Sequence, residues 1–290
     1  MKQKMVGSKH TDTRQILQRG KLLRRVLKTD PVSEYLVYVP TTSAPDAHVL
    51  VSVHGLSHSS WHKQAEMLVP VCERHGIVLL APGFNDQQYP DYQRLGRKGR
   101  GHRADLYLHR CLQELNTLTG ANTTHLLFFG HSGGAQFVHR YLMAYPHRVE
   151  SAVLSAPGWY TFPDPTLKFP YGIRSTSSLP GVIFNPEAYL KVPVTVLVGT
   201  EDTKQSKDLI STDRINEQQG LTRIERARNW VAAMQAQAKA HGMPPHVSIV
   251  ELADTGHSLG DLRSEIAVIE NVIHFGRSND PFDASTGILN

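Results

Sequence analysis

Residues 125–134, His-Leu-Leu-Phe-Phe-Gly-His-Ser-Gly-Gly, leave the chain few ways to fold. Leu126 to Phe129 is an apolar run that reads as a buried strand. Gly130-His131-Ser132-Gly133-Gly134 follows at once, and Ala135 to Tyr145 then carries apolar residues at helical spacing. A strand that turns so tightly into a helix needs small neighbours, and Gly130 and Gly134 lack a Cβ. The turn lifts the Ser132 hydroxyl above the sheet, at the N-terminus of a helix whose dipole favours developing negative charge. Strand, Gly-x-Ser-x-Gly and helix in that order is the context a nucleophile elbow requires; the bare motif alone would be a plain strand-to-helix turn.

Around this stretch short apolar strands alternate with helices, the signature of a mostly parallel sheet flanked by helices. The pattern predicts strands at Glu34–Val39, His48–Val53, Ile77–Ala81, Ser151–Leu154, Val194–Val198 and His246–Leu252. Helices are expected at Trp61–His75, closed by Gly76, at Asp105–Leu118, at Glu225–His241 and at about Asp261–Phe275. Ser59 or Ser60 is expected to cap the first of these. Residues 204–224 read as polar and irregular. Residues 158–190 break the rhythm with five prolines among Trp159, Tyr160, Phe162, Phe169, Tyr171, Phe184 and Tyr189. A loop this long in a compact domain is usually functional or disordered, and its aromatics argue against disorder. It is read as a cap insertion that supplies an apolar pocket with Trp159, Tyr160 and Phe162; the alternative is a structural excursion covering a sheet face.

The expected organisation is a basic N-terminal arm over 1–30, an α/β domain over 31–275 with the insertion at 158–190, and a tail over 276–290. The net charge is +5, yet residues up to Lys28 hold nine basic side chains and one acid, Asp12. The rest of the chain is therefore slightly acidic. Ile16, Leu17, Leu22, Leu23, Val26 and Leu27 read as one side of a short basic helix. Weak contact with an anionic surface is one use for it; a solvated arm or a helix packed on the body is preferred. No nucleic-acid motif accompanies the charge. No window approaches a membrane span, and the first residues show no apolar signal core. Cys72 and Cys111 fall in helical segments and read as reduced and structural, which suits a cytoplasmic protein. No Cys/His spacing resembles a zinc site, so no metal is expected.

Three side chains then fall at the ends of separate strands: Ser132, Asp202 and His257. A serine hydroxyl needs a base to take its proton, His257 can accept and return it, and Asp202 would orient the imidazole. Glu201 and Asp254 compete for the acid, but Glu201 points to the opposite side of its strand from Asp202, and Asp254 shares the loop of His257. His131 adjoins the serine, with its side chain expected to point away from the hydroxyl. His54-Gly55-Leu56 ends another strand, where the backbone N–H of Leu56 can pair with that of Gly133 as an oxyanion hole. The plain alternative is a tight turn shaped by Gly55. His58 either reaches the substrate or is a surface histidine. The loop 85–103 carries Arg94, Arg97, Lys98, Arg100 and Arg103. Its arginines can clamp a carboxylate or phosphate, although pairing with local acids is preferred.

Over about residues 33–275 the chain resembles the α/β-hydrolase superfamily, on His54-Gly55, the Gly130–Gly134 elbow, Gly199-Thr200-Glu201-Asp202 and Gly256-His257, with nucleophile, acid and base in that chain order. Within it, Tyr92-Gln93-Arg94-Leu95-Gly96, Arg103-Ala104-Asp105 and Gly220-Leu221-Thr222-Arg223 look like bacterial esterases similar to polyhydroxybutyrate depolymerases. Typical secreted depolymerases carry an export signal and often a polymer-binding module, neither of which is read here; an extracellular solid polymer is therefore not the expected substrate. The resemblance implies a serine esterase that cleaves a small-molecule carboxylic ester through an acyl-enzyme, with no cofactor. The rivals are a thioesterase, acyltransferase or C–C hydrolase with the same three residues, and a non-catalytic binding protein on the same fold.

Overall fold

The computed structural model describes residues 17–203, 209–257 and 266–272. Residues 1–16 of the basic arm, the ends of the closing helix and the 276–290 tail lie outside the described residues.

Eight strands form one sheet: β1 Leu22–Leu27, β2 Asp30–Tyr38, β3 Val49–Val53, β4 Val78–Pro82, β5 Leu126–His131, β6 Val149–Ser155, β7 Val194–Gly199 and β8 Val247–Leu252. Their order is β1-β2-β4-β3-β5-β6-β7-β8. The β1-β2 and β2-β4 pairs are antiparallel, and the pairs from β4 through β3 to β8 are parallel. Strands β3, β4 and β5 are buried along their whole length, which is why they read as unbroken apolar runs rather than alternating ones.

The helices are α1 Trp61–His75, α2 Ala104–Thr119, α3 Gly133–Ala144, α4 Pro186–Tyr189, α5 Asp213–Gln219 and α6 Arg223–Ala240, with a further helix over 266–272. They cover both faces. On one face Leu50, Leu79 and Phe129 meet Trp61, Leu68 and Val71 of α1 and Ile269. On the other, Val49, Val51 and Phe128 meet Leu112 of α2, Tyr141 of α3 and Trp230 of α6. Alternate residues of one strand thus serve two separate cores. Cys72 and Cys111 are free and buried, one in each core. Among the described residues no helix is long and apolar enough to cross a membrane.

Two local expectations are corrected. Residues 22–27 are a strand, not one side of a basic helix: Leu22 pairs with Tyr38 and Leu27 with Asp30. Leu23, Arg25 and Leu27 face α2, where Arg25 bonds Tyr35 and lies 3.8 Å from Glu114. Arg24 pairs with Glu34 and reaches the Trp61 ring on the opposite face. The stretch 204–224 is not wholly irregular, since Thr212 caps the short helix α5.

The excursion 158–190 folds onto the second of these cores. Tyr160, Phe169, Ile173, Leu179, Phe184 and Tyr189 are buried in the cluster that holds Phe137, Tyr141 and Trp230, so the segment covers that sheet face. Ser60 stands at the N-cap of α1, but its hydroxyl donates to Ser57 O and caps no helical N–H.

Candidate active site

The turn after β5 holds Ser132 at φ 52°, ψ −112°, a left-handed conformation that a residue with a side chain adopts only under constraint. The constraint is contact. A Cβ on Gly134 would fall 2.0 Å from Val53 O, and one on Gly130 would fall 2.6 Å from the Gly134 carbonyl. Strands β3 and β5 and helix α3 therefore close on the turn from three sides.

Ser132 Oγ lies 3.2 Å from His257 Nε2, and His257 Nδ1 lies 3.1 Å from Asp202 Oδ2. With Nδ1–H donating to the carboxylate, Nε2 is left to accept from the serine hydroxyl. Asp202 follows β7 and His257 follows β8, so adjacent parallel strands deliver the two to one edge of the sheet. Glu201 and Asp254 are exposed.

Asp202 is buried, and its other oxygen, Oδ1, accepts from Arg223 Nη1 at 3.0 Å. Burial pushes the carboxyl pKa up, but the hydrogen bond from His257 and the Arg223 charge outweigh it, and the net direction is down. Arg223 was not among the residues singled out for chemistry in the sequence. Its signal there was positional: Thr222 and Glu225 form a capping box, which makes Arg223 the first residue of α6.

His131 does not face the hydroxyl. Its ring stacks on that of His257 at 5.3 Å between centroids, and its Nδ1 shares a 2.9 Å hydrogen bond with Ser155 Oγ. Burial, with the nearby His257 and Arg223 charges, lowers its pKa to about 3 and keeps the ring neutral.

The loop after β3 closes the other side. A Cβ on Gly133 would come 2.7 Å from Tyr92 Oη and 2.9 Å from the Leu56 side chain, so residues 56 and 133 are neighbours and 133 tolerates no side chain. Gly55 packs on Ser132 and His131. His54 braces the loop: its Nδ1–H donates to Gly55 O at 2.6 Å and its Nε2 accepts from Phe84 N–H at 3.1 Å. Burial lowers its pKa to about 4, so both roles hold at neutral pH. Tyr92 Oη donates to His54 O at 3.0 Å.

Among the residues read as substrate contacts, Trp159 and Tyr160 are buried, 2% and 0% exposed, and present no open face. The Trp159 ring lies 4.4 Å from the Arg140 guanidinium, and Tyr160 stacks on Trp230 at 4.9 Å. His58 and Phe162 keep partly open surfaces; His58 packs on Trp61 and His54. In the arginine loop, Asp91 accepts from Arg94 and Arg97, and Asp105 accepts from Arg103, so these three cations meet local acids. Among the described residues no group of three or more His, Cys, Asp or Glu could hold a metal ion.

No family model matches the chain, and no curated protein matches it. Solved structures do. The chain is similar to LpqC, a poly(3-hydroxybutyrate) depolymerase from Bordetella parapertussis, with 26% identity, 90% of each chain covered and a TM-score of 0.72. The chain has the α/β-hydrolase fold. Poly(aspartic acid) hydrolase-1 from Sphingomonas sp. KT-1 shares this hydrolase fold at 22% identity, over 82% of this chain and 93% of that one, with a TM-score of 0.70. So does an S-formylglutathione hydrolase from Agrobacterium tumefaciens, at 14% identity, over 88% and 93%, with a TM-score of 0.56.

Proposed function

We propose that the chain is a serine hydrolase that cleaves a carboxylic ester through an acyl-enzyme on Ser132. The observation that carries this reading is the unbroken hydrogen-bonded line from Ser132 Oγ through His257 to Asp202, set on a strained turn. In the proposed reaction Ser132 Oγ attacks the ester carbonyl carbon while its proton passes to His257 Nε2. The backbone N–H groups of Leu56 and Gly133 hold the resulting oxyanion; removing one such donor typically costs about 10²–10³ in rate. The C–O bond to the alcohol breaks as His257 returns the proton to it. Water then attacks the acyl-enzyme with His257 again as base, which releases the acid and restores Ser132. Throughout, the Asp202 carboxylate fixes the imidazole and stabilises its charged form.

The similarity to a structure named as a poly(3-hydroxybutyrate) depolymerase supports short esters of 3-hydroxy acids as the substrate class, with His58 and Phe162 as the contacts that keep open surface. The two buried free thiols support a reducing, cytoplasmic setting. A fluorophosphonate probe tests the assignment: it labels the wild type at Ser132 and leaves Ser132→Ala unlabelled. Persistent labelling of that variant refutes Ser132 as nucleophile.

A further inference from the structure

Arg223 sits badly by local rules. It is the first residue of α6, where the helix dipole disfavours a cation, and its side chain is 2% exposed. Burying a guanidinium is costly without a partner. The neighbouring Arg226, also buried, spends its donors on the carbonyls of Gly220, Gly158 and Ile210 and on Asn216 Oδ1, with no carboxylate among them. Arg223 instead meets Asp202 Oδ1, the oxygen that His257 leaves unused.

We infer that Arg223 is a positioning residue of the proposed reaction, locking the rotation of the Asp202 carboxylate so that Oδ2 stays aimed at His257. This rests on the hydrolase reading above. A carboxylate bonded through one oxygen can turn about its Cβ–Cγ axis; bonded through both, to groups on different elements, it cannot. The two anchors are α6 and the loop after β8. The guanidinium also places a fixed positive charge behind the acid. That charge helps hold the Asp202 carboxyl below its ordinary range, and it tempers how strongly Asp202 favours the imidazolium over the neutral ring. Among the described residues, few other groups share that surrounding. His131, stacked on His257, is neutral down to about pH 3. The Tyr160 hydroxyl is buried near Asp202 and pushed well up by burial. Arg226 stands behind Arg223, Ser132 is neutral, and Glu201 and Asp254 are solvent-exposed on the flanking loops.

The test follows hydrolysis of a p-nitrophenyl ester against pH in wild type, R223M, R223K, D202N and the D202N/R223M double variant, each normalised to its folded fraction by circular dichroism. Because the charge behind Asp202 is gone, R223M should move the acid limb of kcat/KM to higher pH, and kcat should fall by roughly ten- to a hundredfold through lost orientation. R223K, which keeps a charge but not the fork, should leave the limb near its wild-type position and return part of kcat. On the D202N background R223M should add less than about a twofold loss, because its partner is already altered. If R223M does not fold, R223K carries the same cycle: its kcat loss should vanish on the D202N background. An unmoved limb, or a full multiplicative loss in the double variant, overturns the inference and leaves only a structural ion pair. A wild type that neither turns over the ester nor reacts with fluorophosphonate sinks the hydrolase reading, and this role with it.

Discussion

Two buried aspartates invite comparison. Asp91 and Asp202 have side chains 5% and 3% exposed, and each carboxylate holds two partners. In both, burial pushes the pKa up and the partners more than offset it, so both stay ionised. The partners differ. Asp91 is held by Arg94 and Arg97, two permanent cations about a fifth exposed. Asp202 divides itself between a sealed guanidinium and the imidazole of His257, which is 29% exposed. The first cluster closes a loop and has no group left to change state. The second contains one group that can gain and lose a proton and faces a serine hydroxyl. The chemical capacity of a buried carboxylate is set by its partners' ability to titrate, not by its own charge.

The largest test sets Asp202→Asn against Asp91→Asn. The amide at 202 cannot hold the imidazole in the same tautomer, and kcat should fall about 10⁴-fold with the fold retained. At 91 the loss should be mainly of stability, about 2 kcal/mol, a modest figure because water can reach the two arginines. Ester turnover and urea midpoints of both variants read the comparison directly. Equal effects on kcat would erase the distinction between the clusters.

Acid should separate the two regions next. His54 and His131 flank the site as neutral rings with pKa values lowered to about 4 and about 3, and His109, on α2, is lowered to about 4, in each case chiefly by burial. An unfolded histidine titrates near 6.5, so below that pH the unfolded chain binds more protons and stability falls as pH drops from about 6.5 toward 4. Each fully buried ring should contribute on the order of 2–3 kcal/mol across that window. The Asp91 cluster, built on arginines, should not respond there. Urea midpoints at pH 7, 6, 5 and 4.5 should decline steadily. A flat series would show that these rings are not held neutral by the fold.

These regions were not equally legible in the sequence. Strands β3, β4 and β5 announce themselves because burial on both faces leaves them wholly apolar, and Gly76 and Gly120 mark the ends of α1 and α2 with left-handed caps. Strand β1 does not, because Leu22–Leu27 with Arg24 and Arg25 suits a helical stripe as well as a two-residue alternation, and only pairing with β2 decides between them. The meeting of Ser132, Asp202 and His257 in space follows from their places at strand ends in a parallel sheet. Arg223 follows from no such rule. It lies 21 residues beyond Asp202 in the chain, and its type does not say which strand end its helix abuts. Trp159 and Tyr160 read as pocket residues for a related reason: aromatics among prolines suit an open pocket, but they suit a packed cover too, and both side chains are buried.

Tyr92 offers the finest test, since it joins the two regions. It follows Asp91 in the chain, opens a single 3-10 turn, and is wholly buried with its ring stacked on Phe84 at 4.9 Å. Its hydroxyl donates to His54 O and lies where any side chain at 133 would collide. The arginine-locked loop therefore supports the wall that carries the proposed oxyanion donors. In Tyr92→Phe the ring and its packing remain, but the His54 carbonyl loses a donor inside the protein. The expected loss of stability is about 1 kcal/mol. If the hydroxyl also fixes the Gly55-Leu56 turn, kcat should drop by up to about tenfold while KM stays nearly constant, because an oxyanion contact acts in the transition state rather than on bound substrate. A variant that loses the stability but keeps kcat would confine Tyr92 to packing, and the Asp91 cluster would then be a brace for its own loop alone.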